Sequence, residues 1–409
     1  MNIWLINHYA VPPKYYPLAR QTYFAKYLMQ MGHTVKIFAA STVHNSNQNL
    51  IEDNIPYREE IVDGVAYVYI KCHHYQGSGL KRVYNICEFA WKLPGVCKRF
   101  EKPDAIAATS MPPTSCAIGI HLARKYGCKG IAEIADLWPE SIIAYGIAGP
   151  RNPAVIALRW LEKWIYKNAN AVVFTMEGGY DYIREQQWEQ EIPESKVYAI
   201  NNGVDMEAFC ENLEHCQIQN EDLEDADTFK VIYTGSIRKV NNLGLLLDAA
   251  KKVTNPKIRF LIWGAGDELD TLRQRVADEK IGNVKFQGVV EKKYVPYIVS
   301  KADLNLAHNS PAPLFRFGIS FNKLFDYLAA GKPVLSDFPC PYNPAVTMKA
   351  GTQVEDPSAD NIARAIEEFA VMPDEQYQEF EKNARLAAQE YDFRNLTRKL
   401  LAVIEACHK

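Results

Sequence analysis

A basic residue stands where the start of a helix would ordinarily favour an acid. The stretch FGISFNKLFDYLAAGKPVLSD begins at Phe317, and its apolar spacing predicts a short helix that opens near Ser320 and stops at Gly331. Lys323 falls in the first turn, which carries the positive end of the helix dipole and unpaired N–H groups. A bound diphosphate would explain this lysine, because free N–H groups and an added full charge together hold phosphate.

The neighbours of Lys323 fit a nucleotide ligand. Ser320 is a good N-cap, and Gly318 lets the backbone come close to a ligand. Asp326 lies one turn further on, where its carboxylate is expected to accept hydrogen bonds from ribose hydroxyls. An alternative is a surface lysine that pairs with Asp326 at i, i+3, worth about 0.2–0.5 kcal/mol. For Lys323 taken alone, the spacing is equally compatible with both interpretations.

Composition sets the class of protein. With 409 residues the chain is too long for one ordinary core and suits two domains. A net charge of −3 and 48% apolar residues describe a globular protein without a global basic field for nucleic acid, so no nucleic-acid partner is expected. Nine cysteines without a C-x-x-C pair predict neither a disulfide framework nor a zinc site, and they favour a reducing, cytoplasmic setting.

No membrane span is predicted from hydropathy. The start, MNIWLINHYAVPPK, lacks a basic n-region and is interrupted by two prolines, so we do not expect a signal peptide. No apolar run approaches the roughly 20 residues that cross a bilayer. Any membrane contact is therefore expected to be peripheral.

Strand and helix patterns alternate in both halves of the chain. This rhythm predicts an α/β fold of two doubly wound, Rossmann-like domains that face a central cleft. The expected domains are 1–203 and 204–390, and a helix over Tyr391–Ala406, within 391–409, is expected to cross back to the first domain. Between them, the acidic and poorly periodic segment Cys210–Thr228 is predicted to be a surface loop.

Several segments, in the right order, resemble the family-4 glycosyltransferases of GT-B fold, and most closely the polysaccharide-assembly branch of O-antigen and capsule type. The lysine segment itself resembles the nucleotide-binding signature of that branch. The other matching segments are EIADLWPESIIAYG (Glu133–Gly146), NNGVD (Asn201–Asp205), VIYTGSIRKVNNLGLLLDAAK from Val231, FLIWGAGDELDTL from Phe260 and NVKFQGVVEKKYVPYIVSKADLNL from Asn283.

The resemblance implies a donor site in the second domain. Arg238 would be the first phosphate-binding cation, and with Lys323 it would stabilise a departing diphosphate from two sides; the alternative is a solvated loop arginine. Many family members carry a glutamate for the donor sugar eight residues before the ribose carboxylate, and that position is Gly318 here. Sugar contacts are therefore expected from the backbone around it. The expected donor-binding residues are Gly235, Ser236, Arg238, Val290, Arg316, Gly318, Ile319, Ser320, Asn322, Lys323, Leu324 and Asp326, with Val290 beside the base.

The acceptor is expected to contact the first domain. Asp136 in ADLWPES is the best candidate for the acid that orients or deprotonates the acceptor hydroxyl, and Glu140 is the second; a helix cap or turn carboxylate is the alternative for Asp136. His8 and Tyr9 follow the first strand, at the expected cleft edge. With Lys323 and Arg238, Asp136 completes the expected catalytic set.

The helix after the first strand opens with Pro17-Leu18-Ala19-Arg20, where the wider family often has two glycines. This departure argues against close backbone approach at Pro17–Ala19, and Arg20 is expected to reach a phosphate or the acceptor.

Two stretches combine basic and aromatic residues, Leu80–Lys102 and Arg151–Asn170. Cationic amphipathic helices rich in tryptophan favour anionic membrane surfaces. These stretches predict docking of the first domain on the inner membrane face, beside a lipid-linked saccharide. The alternative is that Trp160 and Trp164, four residues apart, belong to the core.

Taken together, the resemblance implies transfer of a sugar, such as an N-acetylated or deoxy hexose, from a nucleotide sugar to a saccharide acceptor. A UDP-sugar is the expected donor, a lipid-linked or oligosaccharide chain the expected acceptor, and retention the expected stereochemistry. No cofactor is expected, and the D-x-D string Asp225–Asp227 is interpreted as a solvated acidic run rather than a metal site. The alternatives are a non-hydrolysing UDP-sugar 2-epimerase and a non-catalytic nucleotide-sugar-binding relative.

Overall fold

The chain forms two α/β units. A computed structural model describes residues 1–15, 20–44, 46–77 and 79–407. One unit comprises Met1–Asn201 with Phe393–Lys409, and the other comprises Asn202–Asp392. Each is built on a mainly parallel sheet with helices, which confirms the predicted fold class. Within the described ranges every helix is too short or too polar to span a bilayer.

The first unit contains an eight-stranded sheet in the order β3-β4-β2-β1-β5-β6-β7-β8. β3 and β4 form an antiparallel hairpin, and the remaining neighbours pair in parallel. The central strands are almost entirely buried, as their apolar sequences require. The strands are β1 (Asn2–Ile6), β2 (Thr34–Ala40), β3 (Tyr57–Val62), β4 (Val65–Ile70), β5 (Ala105–Thr109), β6 (Lys129–Ile134), β7 (Ala171–Phe174) and β8 (Val197–Ala199).

Helices surround this sheet, and α3 packs between α2 and α5. The helices of the first unit are α1 (Arg20–Gln30), α2 (Leu80–Cys97), α3 (Pro113–Tyr126), α4 (Glu140–Ala144), α5 (Pro153–Asn168), α6 (Gly179–Glu185) and the C-terminal helix Phe393–Ala406.

The C-terminal helix packs on α1, so the last helix does return to the first unit. The ring of Phe393 lies 4.7 Å from that of Tyr23 and 5.7 Å from that of Phe24. The helix begins two residues later than predicted, because Tyr391 accepts a hydrogen bond from the N–H of Val204 at 3.0 Å.

The second unit contains a six-stranded parallel sheet in the order β11-β10-β9-β12-β13-β14. Its strands are β9 (Phe229–Thr234), β10 (Ile258–Trp263), β11 (Val284–Gly288), β12 (Leu304–Ala307), β13 (Val334–Ser336) and β14 (Gly351–Gln353). Its helices are α7 (Met206–His215), α8 (Glu221–Glu224), α9 (Leu243–Lys252), α10 (Leu269–Asp278), α11 (Val295–Ser300), α12 (Asn322–Ala329), α13 (Pro344–Thr347), α14 (Ala359–Ala370) and α15 (Asp374–Glu390).

The prediction of a loop over Cys210–Thr228 is wrong, since α7 ends and α8 lies within that segment. The Asp205 carboxylate caps α7 by accepting from the N–H of Ala208 at 3.2 Å. Phe209 in α7 and Leu223 in α8 are buried, whereas most other residues of both helices are exposed. Only the last six residues of α7 and the four residues of α8 fall in the segment, too few to show a helical period there.

Candidate functional site

Lys323 lies over the end of β9. Its ammonium Nζ is 3.1 Å from the phenol oxygen of Tyr233 and 4.2 Å from the centre of that ring. Asp326 is buried and forms an ion pair with Lys292, on the turn that follows β11. The alternative of a Lys323–Asp326 surface pair is therefore not what the structure shows. Lys292 was not predicted from the sequence.

Tyr233 connects this lysine to the loop that follows β9. Its hydroxyl donates to the carbonyl of Ser236 at 2.9 Å and accepts from the side-chain amide of Asn241 at 3.2 Å. Gly235 lies against the same group, because a Cβ built there would be 3.0 Å from Lys323 Nζ. The Lys323 ammonium is thus held directly beside the main chain of Gly235, which has no side chain to cover it.

Two glycines after β10 bring their backbone against this loop. A Cβ on Gly264 would lie 1.8 Å from the carbonyl oxygen of Gly235, and one on Gly266 would lie 1.9 Å from that of Ile237. The N–H of Gly235 also donates to the Trp263 carbonyl at 3.0 Å. The G-x-G string therefore lets two loops pack closely.

Arg238 and Ser236 are exposed on the β9 loop, as are Lys239 and Val240. Within the described part of the chain, the guanidinium of Arg238 makes no hydrogen bond or ion pair. Its charge is therefore available to an anion.

The residues before α12 differ from the prediction. Helix α12 begins at Asn322, with Phe321 at the N-cap position and no side-chain cap, so the prediction of a Ser320 cap is wrong. The Ser320 hydroxyl instead accepts from the N–H of Asn202 at 3.2 Å, and its carbonyl accepts from the Asn202 amide at 3.0 Å. Gly318 has a φ of 109°, a conformation in which a glutamate would be strained.

Two other predicted donor residues belong to the core. Leu324 is fully buried, and its N–H donates to the carbonyl of Phe321 at 3.0 Å; Ile319 is also buried. Direct side-chain contacts from Leu324 and Ile319 are therefore not supported. Arg316 lies on the surface, over the ring of Phe317 at 4.2 Å.

The region predicted to hold the base surrounds Val290. This partly buried residue packs against the cluster that contains Trp263 and Tyr297. The preceding Gly288 has a φ of 87° and accepts from the N–H of Gly264 at 2.7 Å. The end of β11 is thus tied to the same pair of loops as Lys323.

A buried acid–base pair that sequence reasoning missed supports the β9 loop. His308 follows β12 and Asp337 follows β13; the two side chains are buried and bond through Nδ1 of the imidazole. Nε2 of His308 lies 3.1 Å from the carbonyl of Asn242, the residue that opens α9. The sequence could have indicated this pair, because His308 and Asp337 each follow a strand and the carboxyl ends of neighbouring parallel strands meet at one edge of a sheet.

In the first unit, Asp136 follows β6 and stays open to solvent on one side. Surrounding protein desolvates the carboxylate enough to raise its pKa to about 6. It makes no side-chain hydrogen bond or ion pair to any residue in the described ranges. Among the described residues Asp136 is therefore a carboxylate without a bonding partner, and it is more basic than an ordinary aspartate.

Glu140 is held by a cation. Its Oε2 lies 2.6 Å from Nη2 of Arg159, whose Nη1 donates to the Tyr182 hydroxyl at 2.6 Å. The same guanidinium faces Glu162 at 3.6 Å, and burial raises the pKa of Glu162 to about 8. Of the two predicted acids, Glu140 belongs to this network and Asp136 does not.

His8 and Arg20 lie deeper than predicted. His8 is fully buried, and burial lowers its pKa to about 3; Nε2 lies 2.7 Å from the Asn85 amide oxygen. It therefore does not line a surface at which an acceptor could bind. Tyr9 is partly exposed, and its hydroxyl accepts from Arg82 at 2.9 Å.

The prediction that Arg20 reaches a ligand is not supported. Its Nε donates to Glu133 at 2.7 Å, while Nη1 and Nη2 donate to the carbonyls of Asn201 at 2.6 Å and Ile200 at 2.7 Å. Arg20 therefore links the start of α1 to β6 and to the segment that follows β8. The preceding Pro17–Ala19 lies outside the described residues.

The tryptophans of the basic stretches are exposed. Trp160 is 74% exposed and Trp164 is 37% exposed, so the alternative that placed both in the core is wrong. On α2, Leu80 and Trp91 are 89% and 81% exposed. Both helices present apolar stripes to their surroundings.

Metal ligands do not cluster in the described part of the chain. No group of three or more His, Cys, Asp or Glu residues there could hold a metal ion. In the D-x-D string, the N–H of Asp227 donates to the Asp225 carboxylate at 2.9 Å, as in a local turn.

Known proteins are similar to this chain in sequence and in fold. The family model "Glycosyl transferases group 1" matches residues 217–387, and the model "Glycosyltransferase Family 4" matches residues 21–208. A protein named as the glycosyltransferase WbjE, from Pseudomonas aeruginosa, is 21% identical over 63% of this chain and 62% of its own length, which is less than two thirds.

Two further similarities cover more of the chain. A protein named as a colanic acid biosynthesis glycosyl transferase, WcaI of Escherichia coli K12, is 22% identical over 69% of this chain and 70% of its own length. HepE of Anabaena, solved in complex with UDP, shares the fold with a TM-score of 0.66 at 13% identity, over 99% of this chain and 100% of that one.

Proposed function

Since this chain belongs to the family-4 glycosyltransferases of GT-B fold, we propose that it transfers a sugar from a UDP-sugar to a saccharide acceptor on a lipid carrier. The product would be a bacterial surface polysaccharide of capsule or O-antigen type. The name of WcaI, which refers to colanic acid, and the UDP complexes of HepE support this assignment.

The observation that carries the proposal is the position of Lys323. In the first turn of α12, its ammonium is held by Tyr233 next to the bare backbone of Gly235. A diphosphate bound at this helix start would meet the dipole, the ammonium and the uncommitted guanidinium of Arg238. Because these charges are in place before reaction, they stabilise the leaving group without reorganisation.

Asp136 would activate the acceptor. A carboxylate with a pKa near 6 is ionised at neutral pH, and it is a stronger base than one with the ordinary value. Its lack of a partner in the described ranges leaves its lone pairs for an acceptor hydroxyl. Glu140, already paired with Arg159, would shape the site.

The sugar itself would be held without the usual glutamate. The backbone at Gly318 occupies a conformation that favours glycine, so the sugar would meet main-chain groups of 316–319. We propose reaction with retention and without a metal, the two cations taking the electrostatic role. A chelator should therefore leave turnover unchanged.

The reaction would take place at the inner face of the cytoplasmic membrane, where lipid-linked acceptors are found. The exposed stripes on α2 and α5 support this location, because tryptophan beside lysine and arginine suits the headgroup region. The acids in α2, α3 and α5 are Glu88 and Glu162, and both are buried.

The decisive experiment measures UDP release from a panel of UDP-sugars, with and without saccharide acceptors, in the wild type and in Lys323→Met and Arg238→Gln. Lys382→Gln and Arg273→Gln, at exposed positions of the same unit, are matched controls. We expect acceptor-dependent release that falls in both site variants and not in the controls.

Other outcomes identify the alternatives. Conversion of the donor sugar without release would indicate an epimerase, and binding without either reaction would indicate a non-catalytic relative. Unchanged turnover in both site variants would refute the proposed phosphate site.

A further inference from the structure

We propose that a cationic pocket beside α2 binds the phosphate of an anionic lipid headgroup while the exposed stripe of α2 lies in the bilayer surface. This inference rests on the membrane location proposed above. It adds a specific binding site on the first unit, separate from the residues assigned to sugar transfer.

The pocket is an open cavity of about 610 Å³ between α2 and the segment before β3, a size in the ordinary range for ligand sites. Three of its lining residues are cations, Lys71, Lys92 and Arg99, and His73 is a fourth basic group. None of the described residues that line it is an acid. A pocket of this composition selects for a negatively charged ligand.

Two of these four basic groups have an acidic partner. Lys92 and His73 both contact the buried Glu88, at 2.7 Å and 2.8 Å. Lys71, in contrast, donates to the backbone carbonyl of Asp53 and to the Asn54 side chain. Arg99 lies 5.5 Å over the ring of Tyr57. Among the described contacts neither Lys71 nor Arg99 meets a carboxylate, so both charges are available to a phosphate.

The position of the pocket on α2 favours a lipid over a soluble anion. With 3.6 residues per turn, Lys92 is turned by roughly 120° around α2 from the exposed stripe, and Arg99, just past the end of the helix, lines the same pocket. The stripe consists of Leu80, Val83, Tyr84, Cys87 and Trp91. When an amphipathic helix lies on a bilayer, its apolar face enters the acyl boundary and its flanks lie at headgroup level. The pocket would then open where lipid phosphates are found.

The neighbouring helices support the same orientation. α3 packs beside α2 and carries Arg124 and Lys125 in its last turn without an acid of its own. Because the acids of α2 and α5 are buried, this layer of three helices exposes cations and apolar side chains but no acid. An anionic bilayer complements both features, whereas a soluble anion would leave the stripe unexplained.

The test is flotation with vesicles of phosphatidylcholine, with and without phosphatidylglycerol. The pocket variant is Lys71→Gln with Arg99→Gln, which leaves the Lys92–Glu88 pair intact. Its control is Lys257→Gln with Lys382→Gln, two exposed lysines of the second unit that remove the same charge. Trp91→Gln tests the stripe, with Val371→Gln, 74% exposed, as its control.

We expect the wild type to bind only vesicles that contain phosphatidylglycerol. Removing two basic groups near the bilayer should lower the partitioning of the pocket variant onto these vesicles by roughly 10- to 30-fold. Trp91→Gln should lose several-fold, and the two controls should bind like the wild type.

Three results would overturn the proposal. The pocket variant could lose no more binding than the charge-matched control, or Trp91→Gln could bind unchanged. Alternatively, inorganic phosphate could stabilise the wild type against heat but not the pocket variant while both bind anionic vesicles equally, which would make the pocket a soluble-anion site. Because transfer to a soluble acceptor is measured separately, failure here would leave the transferase proposal standing.

Discussion

At the scale of single residues, Tyr233 explains how a cation can be fixed at a helix start. Its hydroxyl accepts from Lys323 and Asn241 and donates to the Ser236 carbonyl, while its ring lies under the ammonium. A lysine on its own would sample many rotamers. Here the phenol positions it and so lowers the entropy lost when a diphosphate binds.

This arrangement predicts graded effects on catalysis. Lys323→Met should lower kcat/KM by about 10²–10³, the usual loss for one preorganised electrostatic group. Tyr233→Phe keeps the ring but removes the acceptor, so we expect a smaller loss, on the order of 10-fold. Initial rates of UDP release measure both. Tyr233→Phe with wild-type kinetics would show that the phenol does not position the lysine.

Asp136 should produce an acidic limb in the rate profile. If it accepts the acceptor proton, kcat/KM should fall as pH drops below about 6, because the carboxylate becomes protonated. Asp136→Asn should lower the plateau and remove that limb, whereas Glu140→Gln should keep it. A limb that persists in Asp136→Asn would assign the titration to another group.

Glu162 should affect stability rather than rate. Burial raises its pKa from 4.5 to about 8, so the folded state favours the proton. The stability from this group is full below pH 4.5 and is lost as pH rises through about 8, on the order of 4–5 kcal/mol. Relative to wild type, Glu162→Gln should therefore gain stability steadily across that range. Urea unfolding at several pH values measures the difference, and parallel curves would contradict the assignment.

At the scale of elements, the loops after β9 and β10 pack backbone against backbone. Gly264→Ala would place a methyl group 1.8 Å from the carbonyl oxygen of Gly235, so one backbone must move. We expect a loss of about 1–3 kcal/mol, as in overpacked sites, together with weaker UDP binding. Gly282→Ala, whose Cβ meets nothing within 4 Å, is the matched control. Equal stability of the two variants in urea would argue against tight loop packing.

The sequence predicted elements better than it predicted contacts. Strands and the helix that contains Lys323 follow from local apolar patterns, and both units have the expected architecture. Ser320 and Arg20 could not be placed, because their partners, Asn202 and the carbonyl of Ile200, are about 120 or more positions away. The end of α7 was missed because only its last six residues fall in the acidic segment, too few to show a helical period.

At the scale of the whole molecule, ligand binding and unfolding are linked by mass action. A ligand present at 100 times its Kd stabilises the folded chain by about 2.7 kcal/mol, and this raises the apparent midpoint of thermal unfolding. Comparing ligands that differ by one chemical group therefore shows which group the protein holds. We expect UDP to raise the midpoint more than GDP, since the region around Val290 is proposed to hold uracil.

The comparison of UDP with uridine locates the diphosphate. Uridine keeps the base and ribose but lacks the charged groups, so the excess shift of UDP over uridine reports the phosphate contacts alone. In a double variant of Lys323→Met and Arg238→Gln that excess should shrink to near zero, while the small uridine shift persists because Asp326 and Val290 are unchanged. The Lys382→Gln and Arg273→Gln pair should retain the full excess. If the site variant kept it as well, the phosphates would have to bind elsewhere, and the start of α12 would have no part in holding the donor.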